Sequence, residues 1–107
     1  MRLIVGMSGS SGVIYGIRLL EKLAKRKDIE VHAIISQAAR MNIGIETDYT
    51  AEQVEALADV VHNNKNIAAS IASGSFKTAG MIIVPCSIKT LSAVAHSLAD
   101  NLIVRAA

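Results

Sequence analysis

The chain alternates between short apolar runs and segments with helical spacing, and Gly and Ser clusters separate them. Residues 2–6 form an apolar, β-branched run, which predicts a strand buried on both faces. From Val13 the apolar residues recur at helical spacing, which predicts a helix whose last turn carries the cations of residues 25–27, where they suit the helix dipole. Glu30–Ile35 is predicted to be a second strand. Strand, Gly-rich turn, helix and strand together predict a βαβ unit with a parallel sheet and a right-handed crossover.

The middle of the chain is less regular. We expect a short helix through Met41, and the capping-box pattern of residues 50–53 predicts a helix that continues to about Val61. Residues 63–66 are predicted to form a loop. Residues 70–75, which are rich in Ser, Ala and Gly, are expected to be a turn or a ligand-facing segment.

The last part of the chain predicts a third strand and further helix. The strand is Met81–Pro85, which ends at a proline that does not continue the hydrogen-bond ladder, and a helix is expected over about 88–99. Residues 102–107 look helical and stop without a cap. Three parallel strands with an open edge make a poor independent domain. The sequence therefore predicts one α/β domain over residues 1–107, a doubly wound parallel sheet truncated at its C-terminal end, with an edge covered by a partner subunit as the alternative.

Composition excludes several classes of protein. With 51% hydrophobic and 19% charged residues, the chain can bury enough apolar surface to fold. Its 11 basic and 9 acidic residues give a net charge of +2, too small for a nucleic-acid footprint. The longest uncharged run, between Arg2 and Arg18, is too short and too rich in glycine for a membrane-spanning helix, and its apolar part, Leu3–Val5, is too short for a signal peptide. The single Cys fits a reducing compartment, and we expect a cytoplasmic protein without nucleic-acid or membrane partners.

Gly, Ser and Thr cluster where the predicted strands end. Residues 6–12 follow the first strand, Ser36 follows the second, and residues 86–90 follow the third. In open α/β sheets ligands bind outside the carboxyl ends of the strands, and helix N-termini at that edge attract anions. The three segments predict a hydroxyl-rich cradle for a phosphate ester, although each alone is also typical of an ordinary strand-to-helix connection.

The spacing favours a mononucleotide over a dinucleotide. The G-x-G-x-x-G fingerprint fails at Met7, and Ser36 stands where an acidic residue would bind the ribose. The sequence also lacks a Walker A loop. FMN fits better than NAD, while Ser36 with Arg40 leaves the 2′-phosphate of NADP as an alternative.

Neither the Cys nor the His residues indicate a nucleophile or a metal site. Cys86 is more typical of a small buried hydrophobe, since no His at a suitable spacing accompanies it. His32, His62 and His96 are far apart in the sequence and lack ligand spacing, so we expect no metal.

Longer strings along the chain resemble the UbiX-type flavin prenyltransferases. The matching strings are Leu3–Gly12 with Tyr15–Gly16, Ile35–Ala39, Glu46–Asp48, Ala72–Phe76, Pro85–Leu91 and Asp100–Ala107. They span essentially the whole chain in order, so the match is more specific than any single motif.

The resemblance implies a three-layer Rossmann-like or flavodoxin-like fold in a chain longer than this one, in line with the predicted truncation. Members of the family bind FMN and, when it is reduced, attach to it a dimethylallyl group from dimethylallyl monophosphate, without a metal. The product, prenylated FMN, is the cofactor of UbiD-type decarboxylases, including those of ubiquinone biosynthesis and aromatic-acid breakdown. The resemblance also implies a homo-oligomer.

Site residues follow from the same resemblance. The positions that match flavin-binding segments are Ser10, Ser11, Gly12, Ser36, Ser87, Ile88, Lys89 and Thr90. Glu46 and Arg105, which alone are ordinary charged residues, match positions close to the flavin and the prenyl substrate, where they would orient the flavin and balance charge during catalysis. Residue 10 is Ser where the family usually has Ala, and the family's prenyl-phosphate residues would lie beyond Ala107.

Two other hypotheses stay open. Flavin-dependent Cys decarboxylases share this scaffold, but they use a catalytic His after the first helix region, and residues 1–31 contain no His. A non-catalytic FMN-binding module would bind flavin for a partner without making a prenylated product.

Overall fold

The chain folds around a parallel sheet. The structure, a computed structural model, describes residues 1–65 and 78–95 together with Ile103 and Ala106. The strands are β1 (Arg2–Met7), β2 (Glu30–Ile35), β3 (Val60–Asn63) and β4 (Gly80–Ile83), in the spatial order β3-β2-β1-β4. The helices are α1 (Val13–Ala24), α2 (Gln37–Glu46), α3 (Ala51–Glu55) and α4 (Ile88–Ala95). All three strand pairings are parallel, which confirms the predicted α/β doubly wound class.

Both faces of the sheet are covered. On one face Val5 and Val31 pack with Ile17 of α1 and Ile43 of α2 in the main apolar core. On the other face Ile4 and Ile34 pack against the buried Ile103. Burial on both faces explains why residues 3–7 of β1 and 33–35 of β2 are apolar in succession, without the alternation of a strand that turns one face to water.

Strand register brings the connecting loops to one edge. Met7 of β1 lies beside Ile35 of β2, and Gly6 lies beside Ile83 of β4, so these three strands end almost level. The chain leaves β1 towards β2 and β3, then crosses back to add β4 on the other side of β1. The switch in strand order therefore falls between β1 and β4, the position at which open α/β sheets form their ligand crevice.

The prediction of one helix from residue 50 to about Val61 is wrong, and so is the count of three strands. The capping box itself is confirmed, because the Thr50 hydroxyl accepts from the Gln53 N–H and the Gln53 side chain accepts from the Thr50 N–H. However, α3 ends at Glu55, and Val60–Asn63 pairs with β2 as an edge strand. Pairing with an existing strand outweighs the local helical pattern of a β-branched segment.

Two predicted helix ends also differ from the structure. α1 ends at Ala24, and Lys25 is its C-cap, so the cations of residues 25–27 lie just past the last turn. α2 continues beyond Met41 to Glu46, because the buried Ile43 anchors its second half in the core.

Several other predictions fall partly outside the described residues. Asn63 belongs to β3 and residues 64–65 form a turn, but residue 66 and the segment 70–75 lie outside the described part. α4 is described as far as Ala95, and of residues 102–107 the two described ones, Ile103 and Ala106, are helical. Within the described residues, no helix is long and apolar enough to cross a membrane.

Candidate functional site

The turn after β1 depends on glycine at two positions. Gly12 is the N-cap of α1 and has φ of 96°, in the left-handed region that favours glycine. A Cβ at Gly9 would lie 2.3 Å from the Cβ of Ala38, so the turn runs directly against the start of α2. Glycine is therefore required at Gly12 by its backbone conformation and at Gly9 by the contact with α2.

The N-terminus of α1 differs from those of α2 and α3. Ser36 caps α2 through its hydroxyl and Thr50 caps α3, but Gly12 gives α1 no side-chain cap. The first N–H groups of a helix have no partner within the helix, and together with the helix dipole they favour an anion. α1 thus has no side-chain cap from its own N-cap residue, and its N-terminus lies at the carboxyl edge of the sheet.

α2 holds the turn through two side chains. Glu46 Oε1 accepts a hydrogen bond of 3.1 Å from the Gly12 N–H, and Asn42 Nδ2 donates one of 3.3 Å to the Ser10 carbonyl. The structure therefore places the predicted Glu46 beside the predicted Ser10–Gly12 turn. Asn42 was not predicted; its spacing of one helical turn from Glu46 would have pointed to it had α2 been predicted at its full length.

The loop after β4 is ordered by its own hydroxyl groups. Ser87 Oγ accepts a hydrogen bond of 3.1 Å from the Thr90 N–H and donates one of 3.0 Å to Thr90 Oγ1. Ser87 thereby caps α4, and Thr90 is buried in its first turn. Ile88 and Lys89 are the first two residues of α4, and their side chains lie outside the described part.

Ser8 joins the two loops and was not predicted as a site residue. It is 2% exposed, its N–H donates to the Pro85 carbonyl over 3.0 Å, and its Oγ donates to the same carbonyl over 3.1 Å. The Ser87 N–H donates to Ser8 Oγ over 2.7 Å. In the sequence Ser8 is only one of several serines in the Gly/Ser cluster, and nothing local distinguishes it.

Ser36 lies at the same edge, at the end of β2. Its N–H donates to the Met7 carbonyl over 2.9 Å, and its hydroxyl accepts from the Ala39 N–H over 3.1 Å. A serine hydroxyl that accepts one hydrogen bond still has a proton to donate. Ser36 therefore caps α2 and retains a hydroxyl proton that it can donate.

The remaining predicted residues are placed less directly. Cys86 is half-buried, with its Sγ 3.6 Å from the Ser87 carbonyl oxygen, which fits the small-hydrophobe interpretation better than a reactive thiol. Arg105 lies outside the described residues.

The structure argues against Arg40 as a phosphate ligand. Arg40 forms ion pairs with Glu55 and, at 3.5 Å, with Glu52. A cavity of about 730 Å³ adjoins these residues and is also lined by His62 and Lys65. The two carboxylates compensate the guanidinium charge, so the geometry does not favour the NADP alternative.

Two histidines that are distant in the sequence meet across β2 and β3. His32 Nδ1 and His62 Nε2 are 2.9 Å apart, and His32 Nε2 lies 2.6 Å from Glu30 Oε1. Burial first, and then the charge of His32, lower the pKa of His62 below its ordinary value. The hydrogen bond from His32 lowers the pKa of Glu30. Within the described residues, no group of three or more His, Cys, Asp or Glu side chains is arranged to hold a metal.

The fold and this edge define a class: a doubly wound α/β protein whose β1 and β4 loops meet at the switch in strand order, where such sheets bind nucleotides. The chain itself belongs to the family described as Flavoprotein, whose family model matches residues 1–107.

Curated proteins similar to this chain carry more specific names than the family. A protein of Escherichia coli (strain K12) named flavin prenyltransferase UbiX is 59% identical over 106 residues, which are 99% of this chain and 56% of that protein. The chain thus spans about half the length of the curated relatives it matches. This similarity confirms the resemblance to UbiX-type proteins that the sequence strings indicated.

Solved structures agree. A dodecameric FMN-dependent UbiX-like decarboxylase from Escherichia coli O157:H7 matches with a TM-score of 0.97 and 47% identity over 99% of this chain and 58% of that chain. AnUbiX (PadA1), solved in complex with FMN and dimethylallyl pyrophosphate, matches with a TM-score of 0.94 and 46% identity over 98% of this chain and 55% of that chain. These matches confirm the flavodoxin-like fold.

Proposed function

We propose that the protein is a flavin prenyltransferase that transfers a dimethylallyl group from dimethylallyl monophosphate to reduced FMN. The observation that carries this proposal is the pair of loops joined by the hydrogen bond from the Ser87 N–H to Ser8 Oγ at the β1–β4 switch, with the N-terminus of α1 at the same edge. Similarity to named flavin prenyltransferases supports the particular reaction.

The residues of this edge fit an FMN phosphate and its ribityl chain. The left-handed Gly12 and the close approach of Gly9 to α2 fix the path of the turn after β1, whose backbone N–H groups would face the phosphate. Ser10, Ser11 and Gly12 would hold the flavin from the β1 side, with the Ser36 hydroxyl as a further donor. Ser87, Ile88, Lys89 and Thr90 would hold it from the β4 side.

Reduced FMN, when bound, supplies the nucleophilic atoms that accept the dimethylallyl carbons as phosphate leaves. The chain contributes orientation and electrostatic stabilisation. Glu46 accepts a hydrogen bond from the Gly12 N–H of the proposed flavin-binding turn, and we assign it the orientation of the flavin. Arg105 would balance the charge of the departing phosphate.

The same proposal covers partners and setting. The chain forms one flavin-binding α/β unit, acts in the cytoplasm and assembles as a homo-oligomer, and its prenylated FMN serves a UbiD-type decarboxylase. A dodecameric structural relative supports self-association.

The test uses the complete gene product. Its absorbance spectrum is recorded first, and FMN released on denaturation is quantified. The protein is then incubated with reduced FMN and dimethylallyl monophosphate, and the mass of the flavin product is measured by mass spectrometry. The same incubation with oxidised FMN is the control.

A flavin that gains one dimethylallyl group supports the proposal. Bound FMN without a mass gain contradicts it and favours the non-catalytic module. Oxidative decarboxylation of a Cys-ended peptide favours the Cys decarboxylase. If the protein binds no FMN at all, the proposal is wrong and the two loops are ordinary strand-to-helix connections.

A further inference from the structure

One buried hydroxyl group connects the two loops of the proposed flavin site. Ser8 Oγ donates to the Pro85 carbonyl and accepts the Ser87 N–H at 2.7 Å. Ser87 in turn caps α4 by accepting the Thr90 N–H. A continuous chain of hydrogen bonds thus runs from the end of β1, through Ser8 and Ser87, into the first turn of α4.

Ser8 itself is too deeply buried to contact a ligand. It is 2% exposed, and both of its described side-chain hydrogen bonds are to backbone groups of the β4 loop. Its influence on a ligand must therefore pass through the residues on either side. Ser10 and Gly12 follow it within the same turn, and Ser87 lies across from it.

We propose that Ser8 is a positioning residue, which sets the separation of the Ser10–Gly12 turn and the Ser87–Thr90 loop so that both contact one flavin. The proposal rests on the proposed FMN site. It adds a residue that does not touch the ligand and that determines how well the two halves of the site match it.

The two hydrogen bonds of Ser8 Oγ are unequal in importance. The Pro85 carbonyl also accepts from the Ser8 N–H, so it keeps a partner when the hydroxyl is removed. The Ser87 N–H has Ser8 Oγ as its partner, and a buried donor left without an acceptor carries the full cost of desolvation. In a Ser8→Ala variant we therefore expect Ser87 to move towards another acceptor and to displace the start of α4.

The experiment measures FMN affinity and thermal stability on the complete gene product in parallel. Four variants are compared with the wild type: Ser8→Ala, Ser8→Cys, Ser8→Thr and Thr50→Ala. Thr50→Ala is the matched control, because it removes one side-chain cap in α3, away from both loops. Affinity comes from quenching of flavin fluorescence at a temperature well below every melting point, and the visible circular dichroism of bound flavin reports its orientation.

We expect Ser8→Ala to weaken FMN binding about tenfold or more, the range for a buried donor left unpaired, and to change the circular dichroism of the flavin. Thr50→Ala should lower the melting temperature without changing FMN affinity. Ser8→Thr keeps the hydroxyl and should restore binding. Ser8→Cys keeps a side chain of similar size that forms only weak hydrogen bonds, so its FMN affinity should lie between those of Ser8→Ala and the wild type. It also provides a second test if Ser8→Ala does not fold.

Two results would overturn the role of Ser8 while leaving the proposed function intact. The first is wild-type affinity in both Ser8→Ala and Ser8→Cys. The second is a loss that Ser8→Thr does not restore, which would assign the effect to packing. A wild-type protein that binds no FMN would instead overturn the proposed function, and the role of Ser8 with it.

Discussion

Gly9 shows how a single residue shapes the site, because the turn after β1 passes too close to α2 to admit a side chain. A Cβ at this position would lie 2.3 Å from Ala38 Cβ. At Gly44, by contrast, nothing lies within 4 Å of the corresponding position. A side chain is therefore excluded at Gly9, whereas there is space for one at Gly44.

We predict that Gly9→Ala destabilises the protein by about 1–3 kcal/mol, the usual cost of overpacking, and weakens FMN binding. Gly44→Ala, the control, should stabilise by about 0.5–1 kcal/mol because it lies within α2. Urea unfolding measures both. Adding Ala38→Gly to Gly9→Ala should recover part of the loss, and an additive double variant would contradict the contact.

At the scale of elements, α2 supports the turn after β1. Asn42 and Glu46 lie one helical turn apart and both reach the turn after β1. α2 is itself anchored by Ile43 in the core. The position of the turn therefore depends on how α2 packs on the sheet, which no local pattern of the turn reveals.

Glu46 allows the hydrogen bond and the charge to be separated. Glu46→Gln keeps an oxygen that can accept from the Gly12 N–H, so FMN affinity should stay close to that of the wild type. Glu46→Ala removes the acceptor and should weaken binding about 3–10-fold, the value of one ordinary hydrogen bond.

Prenyl transfer separates the two roles further. If the carboxylate charge contributes to catalysis, Glu46→Gln should lose turnover while it retains FMN. Equal turnover in Glu46→Gln and the wild type would contradict a role for the charge. Fluorescence titration gives the affinities, and flavin mass spectra over time give the rates.

At the scale of the whole molecule, stability depends on how the edge strand β3 is joined to the sheet. His62 of β3 bonds to His32 of β2, and Glu30 bonds to His32. Protonation of His62 would place a positive charge on this partly buried ring, beside the ring of His32. The edge strand should thus be a point at which acid weakens the fold.

The pKa of His62 is lowered by burial and by His32, so in the unfolded chain it binds a proton at a higher pH than in the folded protein. Its contribution is complete above the ordinary pKa of 6.5 and is lost as the pH falls through the lowered folded value. We predict that the free energy of unfolding falls between pH 7.5 and a pH below about 6, and that His62→Gln reduces this slope.

Glu30 accounts for a separate loss of stability, at lower pH. Its pKa is also lowered, so its contribution is present above its ordinary value of 4.5 and disappears only in stronger acid. Urea unfolding at a series of pH values separates the two windows. An unchanged slope near pH 6 in His62→Gln would show that this pair does not govern the acid response.

The sequence by itself determined the βαβ core and the edge of the sheet at which the Gly, Ser and Thr clusters meet. β1 and β2 are largely buried on both faces, so they are rich in apolar residues and easily recognised, and the bounds predicted for β2, Glu30–Ile35, match the structure. The caps at Ser36 and Thr50 act within one turn of helix, so their signals are also local. Level strand ends then bring Ser36, the Gly/Ser turn and the Ser87 loop together.

Only the tertiary structure decided the features that depend on distant partners. Val60–Asn63 is short and partly exposed, and it is a strand because β2 offers a free edge to pair with. The bond from Ser87 to Ser8 spans 79 positions, and that from Gly12 to Glu46 spans 34. A hydroxyl or carboxylate looks the same in sequence whether it faces water or a backbone N–H, because the packing of the sheet, not the residue type, chooses its partner.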